Sequence, residues 1–273
     1  MLDALRKWMV QRHRMKSEAQ RERIKHLLLE FQMGRWSWIA DLPSRLFFGT
    51  DLKMLATIYG TDKWNRHWYA QHYEEVLHRF RRRQTNLLEI GIGGGEAPRK
   101  GGNSLRMWRA YFPKGHIFGI DIYDKSAHDG RRIRTFRGSQ ADPEFLNSVV
   151  NEIGRIDVII DDGSHMNAHI TTTFQHLFPS LADGGIYAIE DTQTSYWAEY
   201  GGNEIDHNDN ATAMGFFKSL ADGMNWSEFR NGYKPNYLDL HIESIAFYHN
   251  LIVIRKRLHE EPPPFANEAA SEA

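Results

Sequence analysis

The 273-residue chain is 41% apolar and 25% charged with a net charge near −1, the composition of a soluble globular protein with one large domain or two small ones. No apolar run approaches the ~20 residues needed to cross a bilayer, and the near-neutral charge gives no electrostatic reason to expect nucleic acid as a partner. The absence of cysteine excludes disulfides, thiolate metal sites and a Cys nucleophile, and fits a cytoplasmic location.

The N-terminal MLDALRKWMVQRHRMKSEAQ has neither an apolar h-region nor a small-residue cleavage site, so it does not read as a secretory signal. Leu2, Leu5 and Met9, then Ile24, Leu27, Leu28 and Phe31, recur at helical spacing among Arg and Lys, with Gly34 as a stop. The pattern predicts an amphipathic helix over residues 1 to about 32. Its basic face is commonly a solvated one, although a membrane surface or a sister subunit, hence a homo-oligomer, would also suit it. RWSWIADLPSRLFFG reads as an aromatic connector. DLKMLATIY and, after GTDK, WNRHWYAQHYEEVLHRFRRR read as a second helical region.

From Asn86 short β-rich runs alternate with helical ones. NLLEIGI, HIFGIDIY, RIRTF, IDVIIDD and GIYAIED read as buried parallel strands; SLRMWRAYF, DPEFLNSVVNEIG and NAHITTTFQHLFPSL read as the helices between them. This alternation predicts an α/β domain with a doubly wound, mostly parallel sheet, whose ligands bind beyond the carboxyl ends of the strands. YLDLHIESIAFYHN and LIVIRKR leave no room for a crossover helix and predict an antiparallel C-terminal hairpin at the sheet edge. The expected division is a helical extension over 1–55, the α/β domain over 56–258 and a disordered tail over 259–273.

LLEIGIGGG places Glu89, Gly91, Gly93 and Gly95 at the first strand-to-helix turn, where missing side chains let a ligand approach the backbone. The dinucleotide fingerprint G-x-G-x-x-G fails here, because its third glycine position is Glu96. The stretch instead matches the E-x-G-x-G-x-G pattern of class I S-adenosylmethionine (SAM) methyltransferases. That likeness implies that the loop meets the methionine part of SAM and that the acid ending the second strand, Asp121, holds the ribose diol. A carboxylate suits this role because both its oxygens accept hydrogen bonds. Ser139 and Gln140, after the third strand, fall near the adenine. A ligand-free tight turn and helix caps are the plain alternatives for these positions.

Neighbouring strands lie ~4.8 Å apart, so Asp161 and Asp162 at the end of the fourth would face Glu190 and Asp191 at the end of the fifth. Carboxylates crowded in this way raise one another's pKa or recruit a cation, and oxygen ligands favour a hard ion such as Mg²⁺. Successive strand residues face opposite ways, so Asp162, Glu190 and Asp191 are assigned to metal and Asp161 to the cofactor side. His165, at the mouth of the same cleft, is the candidate general base. A hydroxyl is almost wholly protonated at neutral pH, and an imidazole can take its proton. Helix capping by Asp162 or Ser164, and pairing of the acids with Arg, are the structural alternatives. His165 and His169 at i, i+4 lack the Glu of a zinc-protease motif.

YGTDKW, LLEIGIGG, GGNSLRMW, GIDIYDKS, IIDDGSHMNAH and IYAIEDTQTSYW, in this order over roughly residues 55 to 255, resemble the metal-dependent sugar O-methyltransferases of macrolide biosynthesis. The resemblance implies methyl transfer from SAM to a sugar hydroxyl of a saccharide or glycoside, with Mg²⁺ on Asp162, Glu190 and Asp191 and His165 as base. It also implies that the YGTDK stretch lies over the cofactor, with Lys63 and Asp62 ordering that lid. Those enzymes carry a longer N-terminal region that shapes the acceptor site across an oligomer, and here only a short helical stretch stands in its place. In TSYWAEYGGNEIDHNDN, Tyr196, Trp197 and Tyr200 are candidates to stack on the acceptor. A phenolic or catechol acceptor and a nicotinamide-dependent sugar dehydrogenase are the competing readings.

Overall fold

In the computed structural model, residues 37–230 and 232–259 are described. The helix expected over 1–32 and all but the first residue of the 259–273 tail lie outside them.

Five aliphatic runs form parallel strands: β1 (Asn86–Ile90), β2 (His116–Asp121), β3 (Ile133–Arg137), β4 (Ile156–Asp161) and β5 (Leu181–Glu190). β4 is buried at every position, as befits a strand covered on both faces. β6 (Ile242–Tyr248) and β7 (Leu251–Lys256) form the expected antiparallel hairpin, and β7 pairs with β5. The strand order is β3-β2-β1-β4-β5-β7-β6, the doubly wound sheet that the alternation of strands and helices predicts.

The helices are α1 (Ser37–Phe48), α2 (Leu52–Tyr59), α3 (Ala70–Leu77), α4 (Asn103–Tyr111), α5 (Pro143–Ile153), α6 (Asn167–Leu177), α7 (Ala213–Gly223) and α8 (Tyr237–His241). Because strand side chains alternate between faces, the sheet feeds two cores. Leu87, Val158 and Ile186 pack with Leu55, Tyr73 and Trp108 of α2, α3 and α4. Leu88, Ile159 and Tyr187 pack with Leu146, Phe174 and Phe217 of α5, α6 and α7.

Three elements depart from expectation. The aromatic connector is helical over α1 despite an internal Pro43. Buried Asp41 accepts hydrogen bonds from Arg109 Nε (2.6 Å) and the Tyr59 hydroxyl (2.7 Å), which tie this helix to α4 and α2. Residues 237–241 begin the last run as a helix, because Asn236 and Asp239 form a capping box there. Helix α7 was not anticipated at all; the Thr212 hydroxyl caps it by accepting from Gly215 N.

β1 pairs with β2 on one side and β4 on the other, so strand order reverses beside β1 and a crevice opens at the carboxyl ends. Register places Asp161 level with Ile90 and Ile189. Asp162 therefore leaves the sheet beside Gly91 and Glu190.

Candidate active site

A cleft of about 700 Å³ lies over these strand ends. One end is walled by Gly91, Gly93, Asp121, Ser139 and Gln140, and the other by Asp162, His165, His169 and Asp191. Sequence-distant motifs are thus gathered into a single cavity.

Backbone conformation builds the first end. Gly91 has φ +90°, and a Cβ there would lie 1.9 Å from the Asp162 carbonyl oxygen, so glycine is what allows β1 to turn against the end of β4. Gly93, at φ +75°, has open space where its Cβ would be, leaving room on the cleft side. Asp121 Oδ2 accepts from Ile92 N (3.0 Å) and Oδ1 from Tyr123 N (2.9 Å). These bonds fix the carboxylate while each oxygen keeps accepting capacity toward the cleft. Buried Lys125 donates to the carbonyls of Gly95 (2.6 Å), Ala97 (3.0 Å) and Lys100 (3.3 Å) and so anchors the outer limb of the glycine loop. Lys125 lies within the GIDIYDKS segment, but nothing in that run points to this anchoring role.

The expected adenine residues differ in what they offer. Ser139 Oγ accepts from Ala141 N (3.2 Å). The Gln140 amide is spent inside the protein: it donates to Asp161 Oδ1 and Thr173 Oγ1, each at 3.1 Å, and accepts from Ser164 N at 2.7 Å. Asp161 therefore lies behind the cleft wall, buried against Gln140.

The second end concentrates charge. Asp162, His165 and Asp191 bring one ligand atom each to within 4.8 Å of one another, the one such group of His, Asp or Glu side chains among the described residues. His165 Nε2 stands 3.9 Å from Asp162 Oδ1 and 3.7 Å from Asp191 Oδ2. His165 and Asp191 both adopt left-handed backbone, φ +57° and +54°. Such conformations are costly in non-glycine residues and persist where surrounding structure imposes them, often at functional sites.

Glu190 is immediately behind this group. Its Oε1 accepts from Lys63 Nζ (2.7 Å) and the Tyr73 hydroxyl (2.6 Å). Lys63 also donates to Asp162 Oδ2 (2.8 Å) and stands 3.4 Å from Glu89 Oε1. Glu89 in turn accepts from Ser104 Oγ (2.8 Å) and Trp108 Nε1 (3.3 Å). Glu89 and Lys63 thus meet each other behind the cleft. Burial, then the charge of Asp162, pushes the Glu190 carboxyl well above the usual carboxylate range, with Lys63 opposing. Burial alone would lower the Lys63 ammonium, but Asp162, Glu190 and Glu89 together hold it well above its ordinary value.

Asp191 is clamped separately. The Tyr69 hydroxyl donates to its Oδ1 (2.7 Å), and His67 Nδ1 lies 3.6 Å from the same oxygen, its ring stacked on Tyr69. Tyr69, Tyr73 and His67 were missed in sequence. The available signal was the i, i+4 spacing of the two tyrosines after GTDKW, which reads equally as an apolar helix face. In the loop after Asp191, Tyr196 and Trp197 are exposed and Trp197 lies against Tyr200, while Asn167 Nδ2 donates to the Thr194 and Tyr200 carbonyls. The loop is therefore ordered over 192–200, with two short 3₁₀ segments.

No protein-family model matches the chain. Mycinamicin VI 2''-O-methyltransferase of Micromonospora griseorubida is 41% identical over 243 residues, 88% of this chain and 60% of the relative. The 8-demethyl-8-alpha-L-rhamnosyl tetracenomycin-C 2'-O-methyltransferase of Streptomyces olivaceus is 44% identical over 205 residues, 74% of this chain and 54% of the relative. Among solved structures, MycE methyltransferase of the mycinamycin pathway, in complex with Mg and SAH, matches at a TM-score of 0.76 and 39% identity. The match covers 82% of this chain and 60% of that one. The chain spans between about half and three-fifths of the length of these relatives. Among the described residues, no helix is long and apolar enough to cross a membrane.

Proposed function

The chain is a homologue of sugar O-methyltransferases that act on glycosylated natural products and has the class I SAM-methyltransferase fold, and from that premise we propose that it methylates a sugar hydroxyl of a saccharide or glycoside, using SAM and Mg²⁺. The observation that carries this reading is the single cleft with a glycine loop and Asp121 at one end and Asp162, His165 and Asp191 at the other. The Mg and SAH in the MycE structure support both groups, and the mycinamycin VI in another MycE structure supports a glycoside acceptor.

The cofactor fits the first end. Open space at Gly93 admits the methionine part, and Asp121 faces the cleft with accepting capacity for a ribose diol. Ser139 borders the adenine position. Gln140 shapes the wall there, with Asp161 holding its amide. The second end suits a hard divalent cation, because its donors are carboxylate oxygens crowded beyond what Lys63 alone compensates. Asp162, Asp191 and, from behind, Glu190 would hold it. When bound, such an ion lowers the pKa of a hydroxyl and orients it.

The chain's own chemistry is then a displacement. The acceptor oxygen forms a bond to the SAM methyl carbon as the bond from that carbon to sulfur breaks, leaving S-adenosylhomocysteine. The hydroxyl proton passes to His165 Nε2, which stands 3.9 Å from Asp162 Oδ1 and 3.7 Å from Asp191 Oδ2. Tyr196 and Trp197, exposed on the loop that follows Asp191, would stack on the acceptor. The absence of cysteine supports a cytoplasmic setting, and this loop or a homo-oligomer would shape the acceptor site.

Calorimetric titration of SAM with Mg²⁺ and with excess EDTA is the first test, followed by mass-spectrometric detection of methylated rhamnosides and macrolide glycosides. SAM binding in both conditions, with product formed only with the ion, is the expected result. No SAM binding in either would overturn the reading, and product formed in EDTA would remove the cation from it.

A further inference from the structure

We propose that Lys63 is a positioning residue for the cation site: its buried ammonium holds Asp162 and Glu190 by one carboxylate oxygen each and sets the direction in which their remaining oxygens face. The inference rests on the cation-dependent reading above. Asp162 follows β4, Glu190 ends β5 and Glu89 lies in β1, so three neighbouring strands deliver carboxylates to one place. Lys63 reaches them from outside the sheet, from the segment between α2 and α3, and is only 1% exposed.

The contacts are selective by atom. Lys63 Nζ takes Asp162 Oδ2 at 2.8 Å and Glu190 Oε1 at 2.7 Å. Asp162 Oδ1 is left facing His165 Nε2 at 3.9 Å. One ammonium therefore divides the Asp162 carboxylate between an inner bond and the outward group of Asp162, His165 and Asp191. Without Lys63, Asp162 would lose its inner anchor, and Glu190 would keep only the Tyr73 hydroxyl at 2.6 Å among the donors to Oε1. Groups that orient metal ligands from behind typically change metal affinity 10–100-fold when removed.

Charge and position predict opposite signs, which makes the idea decidable. Removing a positive charge beside a cation site should by Coulomb's law alone tighten cation binding. Loss of orientation should weaken it. The experiment is Mn²⁺ titration followed by electron paramagnetic resonance, comparing the native protein with Lys63→Met. Lys53→Met serves as a control for loss of one lysine charge, since Lys53 sits over the Trp64 ring.

About 10–100-fold weaker Mn²⁺ binding in Lys63→Met, with an unchanged circular dichroism spectrum and Lys53→Met within threefold of native, is the expected result. Should Lys63→Met not fold, Lys63→Met with Glu89→Gln removes one uncompensated buried carboxylate together with the ammonium, and the same weakening is expected. Affinity within threefold of native, or tighter, in a folded variant would overturn the proposal. A native protein that binds SAM but no Mn²⁺ would overturn the cation-dependent reading and this inference with it, an outcome distinct from a native protein that binds Mn²⁺ as well as its Lys63 variant does.

Discussion

The two ends of the cleft are made by different means. The end proposed for the cofactor is built from backbone: glycines whose absent side chains open space, and an aspartate held by two main-chain N–H groups within two residues or across one strand. The acid end is built from side chains that travel far along the chain, with Lys63 reaching partners 99 and 127 residues away. A local device tolerates little change in backbone but few distant changes affect it; a long-range device depends on residues with no motif of their own. Substitutions at the acid end should therefore abolish chemistry while sparing SAM affinity, and those at the cofactor end should do the reverse.

The largest effects are expected at the acid end. Asp162→Ala and Asp191→Ala should reduce methyl transfer to background with the fold retained, because each removes an oxygen donor from the three-residue group. Full activity of either variant would separate the acids from the reaction. His165→Ala should lower turnover by ~10²–10⁴-fold, the usual contribution of a positioned general base, while SAM affinity measured by calorimetry stays near native. If SAM affinity fell with turnover, the left-handed His165 would be holding the cofactor end together and the division would fail.

How much of this could be read in sequence follows the same line. The mostly parallel sheet, its antiparallel C-terminal hairpin and the glycine loop were legible because each is written in a contiguous run with its own period or spacing. Asp162, His165 and Asp191 were legible as strand-end residues. What Glu89 and Glu190 face was not, because their partner Lys63 belongs to a stretch that reads as a loop over the cofactor. Helix α1 was hidden for a related reason: Pro43 and the aromatics argue for a connector, and the buried pairing of Asp41 with Arg109, 68 residues on, has no local trace. Tyr69 and Tyr73 look like core aromatics, and they are; their hydroxyls on Asp191 and Glu190 become visible only once strand ends and helix α3 are placed together.

At the cofactor end the effects should be smaller and of the other kind. Asp121→Asn keeps most of the shape but loses charge and one accepting oxygen; hydrogen bonds to charged groups are worth about 1.5–3 kcal/mol, so SAM affinity should fall roughly 10- to 100-fold with turnover at saturating SAM near native. A large loss of turnover under saturation would place Asp121 in the chemistry instead. Gly91→Ala and Gly93→Ala provide a matched pair. Both impose positive φ on alanine, but only the Gly91 variant drives a Cβ into the Asp162 carbonyl. Its melting temperature should therefore fall further than that of the Gly93 variant. Equal losses would mean that backbone strain alone governs the loop and that the contact of β1 with β4 is slack.

Asp161 tests where the boundary between the two ends falls. It precedes Asp162 in sequence, yet its Oδ1 accepts from Gln140 of the cofactor wall (3.1 Å), and Gly163 N and the Tyr187 hydroxyl also stand against its buried carboxylate. Burial pushes its carboxyl up to about 7 from an ordinary 3.8. Between those values the folded protein holds a proton that the unfolded chain releases, so stability falls as pH rises through this window and levels off above it. Asp161→Asn keeps the acceptor toward Gln140 and cannot ionise, so it escapes that loss. Its stability relative to native should improve from pH 5 to pH 8 by roughly 2 kcal/mol, from two pH units at 1.36 kcal/mol each discounted for relaxation. For a domain of this size that is about 4–8 °C in melting temperature. A difference that does not change with pH would mean that Asp161 ionises freely in the fold. If SAM affinity also falls by more than threefold, Asp161 acts through Gln140 on the cofactor and belongs with the backbone-built end; if it does not, the residue is a buried partner of the sheet, and the two ends meet at Asp162 itself.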